Sequence, residues 1–305
     1  MIVSAASAPS PTARISRRSR ISRGPRGRAV RAGAAGAAAL LFAGLLAGCS
    51  GGSSGPSKAA SGAPVTHTAA PAHSAPPDDS YRRWGLDKPL APPPKPPATR
   101  LTDHFTGPTP QIVRRVPTKD KIVFVTFDDG AEKDPRFIQM TKDLRLPFTM
   151  FLTDQIARAG RGYGYFQQLR ALGNGIDNHT ISHPNLRTLS AEDQQREICG
   201  QQDRLAKRLG KRPVLFRPPY GNYNQATLAV AGGCGIKAVV LWQATMQIND
   251  MRYATGDGLH PGDIVLAHFR GPHELKGASM TTMVSNMLRS IQRQGYTVAR
   301  LEDYV

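Results

Sequence analysis

The sequence predicts an α/β domain of barrel type in the last two thirds of a 305-residue chain. Short apolar runs typical of buried parallel strands recur from Lys121 onward, and segments with helix signals separate several of them. The runs lie at residues 121–127, 147–153, 175–179, 214–216, 236–242, 263–267 and 296–299. Strands that alternate with helices over roughly 200 residues are typical of barrel-like α/β folds.

Two of the intervening helices have recognisable limits. The clearer one begins after Ser190, where Asp193 stands three residues on as a capping-box partner, and it ends at Gly210. A second helix is predicted over residues 278–294, because apolar side chains recur there at helical spacing. Those side chains are Met283, Met287 and Ile291.

Chemically reactive side chains follow the apolar runs, at the strand ends where parallel barrels carry their active sites. They are Asp128 and Asp129, His179 and His183, Arg217, Trp242 with Asp250 beyond it, and His268. One carboxylate and two imidazoles make a three-ligand site for Zn²⁺ or a related ion, which can polarise a carbonyl and activate water. The second aspartate is then free to act as general base, and His268 as general acid. Each feature alone has an ordinary structural interpretation, so the prediction depends on their occurring together.

A basic segment followed by an apolar one opens the chain. Residues 1–48 contain eight arginines and no acidic side chain, and a charge-free run follows Arg31. This order is typical of a secretory signal. The run ends in Leu46-Ala47-Gly48-Cys49, which resembles a bacterial lipobox and implies a lipid on Cys49 that anchors the protein to the membrane. The alternatives are an ordinary signal peptide, which would give a secreted protein, and an uncleaved anchor.

The next segment, residues 49–100, is rich in Pro, Ala, Ser and Gly and poor in aliphatic side chains. This composition predicts a disordered tether between the membrane and a catalytic domain at residues 101–305. Within the tether, residues 81–84 would be either a small docking element or an ordinary stretch of linker. We therefore expect an extracytoplasmic protein that is lipid-anchored to a bacterial cell membrane.

The formal net charge of +18 raises nucleic-acid binding as an alternative. Residues 101–305, however, contain 26 basic and 19 acidic side chains and no recognised binding motif, so we expect no nucleic-acid partner. The three cysteines exclude a disulfide-stapled miniprotein and a four-cysteine zinc finger. With Cys49 assigned to lipid, Cys199 and Cys234 could form a disulfide outside the membrane, or remain two buried thiols.

The strand-end motifs, in this order and at these separations, resemble the polysaccharide deacetylase family, carbohydrate esterase family four, also called the NodB homology domain. The matching segments are Thr126-Phe127-Asp128-Asp129-Gly130, His179-Thr180-Ile181-Ser182-His183, Arg217-Pro218-Pro219-Tyr220-Gly221 and Leu266-Ala267-His268. The resemblance covers about residues 121–305. It implies a distorted (β/α) barrel of seven or eight strands. The implied reaction is hydrolysis of N-acetyl groups on amino sugars, which releases acetate.

The resemblance also implies a role for each matched residue. Asp128 would be the catalytic base, kept ionised and oriented by Arg217. The implied metal ligands, with Zn²⁺ as the expected ion, are Asp129, His179 and His183. These five residues make up the implied core of the active site.

Five further residues would serve the substrate and the leaving group. The Tyr220 backbone N–H would bind the oxyanion, and Leu266 would line the acetyl pocket. His268 would protonate the departing amine. The family's fourth motif is altered, since a methionine follows Asp250 where tryptophan is usual. Trp242 fits a position just upstream beside the sugar, and Asp250 is the candidate for tuning His268.

The leading interpretation is a monomeric, membrane-tethered deacetylase that acts on N-acetylglucosamine of peptidoglycan. Chitin-type oligomers and O-acetylated xylan are alternative substrates. A non-catalytic cell-wall glycan-binding lipoprotein is an alternative of a different class, motivated by the altered fourth motif. Asp128, Arg217 and His268 argue against it, because a binding protein needs neither a base nor an acid.

Overall fold

The computed structural model describes residues 79–305. The strands are β1 Gln111–Val113, β2 Ile122–Asp129, β3 Thr149–Leu152, β4 Gly175–Asn178, β5 Leu215–Phe216, β6 Ala238–Val240, β7 Ala244–Met246, β8 Met251–Tyr253, β9 Ile264–His268 and β10 Thr297–Val298. The α-helices are α1 Ser80–Arg83, α2 Pro135–Leu144, α3 Asp154–Ala157, α4 Tyr163–Ala171, α5 Ala191–Leu209, α6 Gln225–Gly233 and α7 Met280–Arg293. Short 3₁₀ turns lie at Leu101–His104, Leu186–Thr188, Pro219–Gly221 and Leu301–Asp303.

All ten strands belong to one sheet, in the order β1-β6-β5-β4-β3-β2-β9-β7-β8, with β10 paired to β2 off this path. In this spatial order the first eight strands, which end with β7, all pair in parallel. The last strand, β8, is antiparallel to β7. The parallel pairing confirms the predicted α/β barrel type, and the sheet has ten strands where seven or eight were expected. Because the first eight strands are parallel, their carboxyl ends share one edge.

Strand β2 shows how the sequence separates the two faces of the sheet. Phe124 belongs to a buried hydrophobic cluster inside the barrel, the inner cluster. Val125 and Phe127 belong to a second buried cluster, the outer cluster, which lies between the sheet and the helices α2 and α7. Side chains alternate along a strand, so Asp128 falls on the inner face, in line with Phe124. The base candidate is therefore the last inward-facing side chain of a strand that is buried on both sides.

The two helices whose ends were predicted from the sequence are both confirmed. In α5 the Ser190 side chain accepts from the Asp193 N–H, and the left-handed residue Gly210, with φ of 76°, ends the helix. In α7 the apolar face is buried. Its methionines pack in the same cluster as β2 and β9, so this helix covers the outer side of the strands that carry Asp128 and His268.

The folded part of the chain begins earlier than the predicted boundary at residue 101. Trp84 is buried, its indole N–H donates to Asp143 Oδ2 at 3.0 Å, and the Ser285 hydroxyl donates to its carbonyl at 2.7 Å. The docking interpretation of residues 81–84 is thus correct, because two aromatic side chains there find apolar surface on α2 and α7. The predicted leader, Cys49 and the tether up to residue 78 lie outside the described residues. Within residues 79–305, no helix has the length and hydropathy needed to cross a membrane.

Cys199 and Cys234 are joined by a disulfide, with Cα atoms 5.1 Å apart. Cys199 lies in α5 and Cys234 directly follows α6. The bridge links positions 35 residues apart and fastens α6 to the helix that packs behind β4.

Candidate active site

The centre of the site is an ion pair between Asp128 and Arg217. Arg217 follows β5 and is fully buried, and its Nη1 donates to Asp128 Oδ1 at 2.7 Å. The same nitrogen donates to Thr126 Oγ1 at 2.8 Å, and Nε donates to the Val240 carbonyl at 3.1 Å. The guanidinium also lies over the Phe151 ring, 4.3 Å from its centroid. These contacts hold one face of the Asp128 carboxylate in a single orientation and leave Oδ2 directed elsewhere.

Asp128 Oδ2 points toward the two histidines. His179 Nε2 lies 3.6 Å from Asp128 Oδ2 and 3.7 Å from Asp129 Oδ1. His183 Nε2 lies 3.3 Å from Asp129 Oδ1. The ligand atoms of Asp129, His179 and His183 all lie within 4.8 Å of one another. The structure therefore brings the predicted ligand triad and the predicted base to one point.

The backbone takes unusual conformations to achieve this convergence. Four site residues that are not glycine have positive φ: Asp129 at 73°, Thr180 at 71°, His183 at 63° and Tyr220 at 60°. Such conformations cost energy for ordinary residues and concentrate at functional sites. At Asp129 the turn directs two adjacent carboxylates into the same site, which a regular pleat would not allow.

Electrostatics and hydrogen bonds show that the triad fits a divalent cation. Burial raises the pKa of the Asp129 carboxyl, and Asp129 Oδ1 has no hydrogen-bond partner among the described residues. His179 Nδ1 lies 2.6 Å from the Arg217 carbonyl, which can only accept, so Nδ1 carries the proton and Nε2 keeps its lone pair. Burial also lowers the pKa of His179 to about 3, so its imidazole is neutral near pH 7. An unpaired buried carboxylate oxygen beside the neutral His179 imidazole and close to His183 Nε2 is a donor set suited to Zn²⁺ and related ions.

His268 stands beside Asp128, its register partner on the neighbouring parallel strand. Burial lowers the pKa of His268 to about 4, with the nearby Asp128 carboxylate opposing the shift. Its imidazole is thus neutral before substrate binds. A role as acid requires the ring to gain a proton during turnover.

Three more predicted residues lie around this core. Leu266 is buried on β9, two residues before His268 and on the same face. Tyr220 is 63 % exposed, and its ring centroid lies 4.7 Å from that of His183. Trp242 is half-buried beside Arg217, whose guanidinium carbon lies 5.6 Å from the indole centroid. Tyr220 is the most accessible of these three and is positioned to contact a ligand.

Asp250 is not where the prediction required. Its carboxylate is exposed and pairs with Arg252 at 3.2 Å. The charges that act most strongly on His268 are those of Asp128, Arg270, His179 and Arg217. The structure thus pairs Asp250 with its neighbour Arg252 rather than with His268, because the Met246–Met251 turn between β7 and β8 directs the side chain there.

Glu197 was not predicted from the sequence, although its carboxylate holds the histidine loop, the segment from His179 to His183. Its Oε2 accepts from the N–H groups of Ile181 and Ser182 at 2.9 and 2.8 Å, and Oε1 accepts from the Ser182 hydroxyl. One helical carboxylate thereby fixes the segment between His179 and His183. The signal was weak, since a glutamate on a solvated helix face is ordinary.

A parallel sheet of barrel type that gathers a carboxylate–arginine pair and an Asp-His-His cluster at its carboxyl edge defines a hydrolase-type centre. The sequence profile described as polysaccharide deacetylase matches residues 115–239. An uncharacterized protein of Streptomyces coelicolor is 44 % identical over 198 residues, covering 64 % of this chain and 78 % of that protein. A peptidoglycan-N-acetylglucosamine deacetylase of Bacillus cereus is 28 % identical over 210 residues, covering 65 % of this chain and 95 % of that enzyme.

The fold is shared as well. The chitin deacetylase of Colletotrichum lindemuthianum superposes with a TM-score of 0.54 at 20 % identity, covering 65 % of this chain and 93 % of that one. The chain belongs to the polysaccharide deacetylase family. Its class is therefore that of a hydrolase, a polysaccharide deacetylase.

Proposed function

We propose that the protein removes N-acetyl groups from N-acetylglucosamine in peptidoglycan, in a reaction that depends on Zn²⁺ or a related divalent ion. The observation that carries this proposal is the Asp128 carboxylate, fixed by Arg217 on one oxygen and directed at the His179–Asp129 cluster by the other. The Bacillus cereus relative, whose name gives the same substrate, supports the choice of glycan. Chitin-type oligomers and O-acetylated xylan are the competing substrates.

Each residue around the reaction centre has a catalytic role that follows from its position. Asp128 Oδ2 takes the proton of the attacking water, while Arg217 keeps the carboxylate oriented. The backbone N–H of Tyr220, in a loop held at positive φ, donates to the oxygen that gains negative charge. His268, on the neighbouring strand, passes a proton to the departing sugar nitrogen. Leu266 packs below the acetyl methyl.

Asp129, His179 and His183 would hold the cation. When bound, it would supply a Lewis acid that polarises the acetyl carbonyl and activates water. The repulsion between the adjacent Asp128 and Asp129 carboxylates would also be relieved there. His179 keeps its coordinating nitrogen available through the bond from Nδ1–H to the Arg217 carbonyl.

Acetate release tests the proposal on peptidoglycan, chitooligosaccharides and acetylxylan, with metal content measured on the same sample. Turnover should disappear on chelation, return with Zn²⁺, and be fastest on peptidoglycan. His179→Ala should lose both metal and turnover. Glycan binding without acetate release under any divalent metal would overturn the proposal in favour of the non-catalytic binding protein.

We propose further that the enzyme works outside the cytoplasm, anchored by lipid on Cys49 after removal of residues 1–48. The sequence Leu46-Ala47-Gly48-Cys49 supports this, and so does the Cys199–Cys234 disulfide, since disulfides persist mainly in oxidising compartments. Mass spectrometry of the purified membrane form should find a diacylated Cys49 as first residue. Cys49→Ser should move the protein from the membrane fraction to the soluble fraction, and an unchanged distribution would contradict the anchor.

A further inference from the structure

A polar cleft opens at Arg270, two residues after His268 in the chain. Its volume is about 500 Å³. The charged side chains that line it are Asp250, Arg252, Arg270, Glu274 and Lys276. Asn249 connects it to a smaller cleft of about 240 Å³ that Arg289 and Arg293 also line. Five basic and two acidic side chains thus face this continuous surface.

The two acidic groups are already engaged. Asp250 pairs with Arg252 at 3.2 Å, and Glu274 Oε2 accepts from the Gly271 N–H at 3.2 Å. Arg270 is half-buried, and among residues 79–305 no hydrogen bond or ion pair engages its side chain. A half-buried guanidinium without a partner is costly, because burial removes part of its hydration. The surface therefore has unbalanced positive charge where a ligand would sit.

Arg270 links this cleft to the reaction centre. It comes two residues after His268, the last residue of β9, and its side chain lines the cleft. Its charge acts on His268 and on Asp129. Phe269 between them is buried and directs its backbone N–H to the Asp128 carbonyl at 3.2 Å, which fixes the strand end. A group bound by Arg270 would lie next to the sugar that His268 serves.

We infer that Arg270 binds a carboxylate on the sugar adjacent to the one that loses its acetyl group, so that the enzyme selects anionic over neutral glycans. This inference rests on the proposed function, because it takes the Asp128–His268 centre as the place where the acetamido group is bound. A planar guanidinium suits bidentate recognition of carboxylate. Arg293 and Lys276 extend the same preference along the chain of sugars.

The test compares two tetrasaccharides, chitotetraose and an alternating peptidoglycan tetramer whose N-acetylmuramic acid residues carry lactyl carboxylates. A third ligand, the same tetramer with those carboxylates converted to amides, has nearly the same shape without the charge. Binding is measured by calorimetry on the metal-depleted full-length protein, and kcat/KM on the Zn²⁺-loaded protein. Arg270→Gln should lower the acid-to-amide ratio of affinities and of kcat/KM by about 10- to 100-fold.

Two variants complete the design. Arg270→Lys keeps the positive charge but loses the planar guanidinium that can bind a carboxylate with two N–H groups. It should retain part of the preference for the acidic over the amidated tetramer. Arg212→Gln removes a charge elsewhere, at an arginine paired with Asp203, and should leave the ratio unchanged. An equal loss on the acidic and amidated ligands in Arg270→Gln would overturn the inference, since it would mean that Arg270 only supports His268.

The binding measurement separates the two proposals. Selective, Arg270-dependent binding without acetate release would sustain the inference and overturn the proposed function. Acetate release with equal affinity for acidic and amidated ligands would do the reverse.

Discussion

The substitution Asp128→Asn tests the role of the catalytic base separately from the role of the metal site. The amide keeps the size of the carboxylate, and its oxygen can still accept from Arg217 Nη1, now 2.7 Å from Asp128 Oδ1. What it loses is the ability to take a proton. Asp129, His179 and His183 are untouched, so metal binding should survive.

The expected magnitudes follow from burial and from the role of the base. Loss of a positioned base typically lowers the rate by about 10²–10⁴-fold. Arg217 is fully buried and would lose its counter-charge, for which about 3–5 kcal/mol is typical. We expect about 3 kcal/mol here, because the amide oxygen and three other acceptors still bond the guanidinium. For a domain of this size that corresponds to a fall in Tm of roughly 6–12 °C.

The assay combines acetate release at saturating substrate, metal content after dialysis, and thermal unfolding of the same preparation. Asp129→Asn is the matched control, since it changes the neighbouring carboxylate in the same way. It should lose metal, whereas Asp128→Asn should keep it. A folded, metal-loaded Asp128→Asn protein that turns over within tenfold of the parent would refute the assignment of the base.

Three further perturbations test the surrounding structure. Replacing both Cys199 and Cys234 by Ala should lower the free energy of unfolding by about 4 kcal/mol, from the 35-residue separation, and a denaturant titration that shows no loss would contradict this. Gly130→Ala should reduce turnover and stability together, because φ is 87° and a Cβ would lie 2.9 Å from the Phe166 ring; unchanged kcat and Tm would show that the turn is tolerant. Asp177→Asn should stabilise the protein at pH 8, with a gain that shrinks toward pH 4. Burial and the nearby Glu302 carboxylate raise the pKa of Asp177, so wild-type stability is lost as pH rises through that value. Parallel stability–pH curves for the two proteins would contradict this last expectation.

The elements predicted best from sequence were those whose residues obey local rules. β2 is an uninterrupted apolar run, and α5 has a side-chain cap at Ser190 and a glycine at its end. The strands missed were β1, β7 and β8, each three residues long. So short a strand carries no periodic signal, and its pairing is decided by neighbours distant in sequence.

The site divides in the same way. Asp128, Asp129, His179 and His183 could be found because each follows a strand, and parallel strands end at a common edge. Arg270 and Glu197 could not, since a charged residue in a loop or on a helix is usually solvated. Asp250 was misplaced for a related reason: its local partner Arg252, two residues away, competes for the carboxylate. The side chain of Asp250 contacts its near neighbour in sequence, Arg252, whereas the prediction paired it with His268, which is distant in sequence.

The interior of the barrel holds two kinds of buried charge, and they should respond differently to pH. At the carboxyl end, Asp128 is balanced by Arg217, so each charge lowers the cost of burying the other. Toward the other end, Asp177 faces Glu302, and burial raises the pKa of both carboxyls. Protonation of this second pair favours the folded state, and its stabilising effect fades as pH increases. Because the Asp177–Glu302 pair makes no contact with the Asp128–His268 centre in the described structure, loss of stability at alkaline pH should come without a matching change in kcat below Tm.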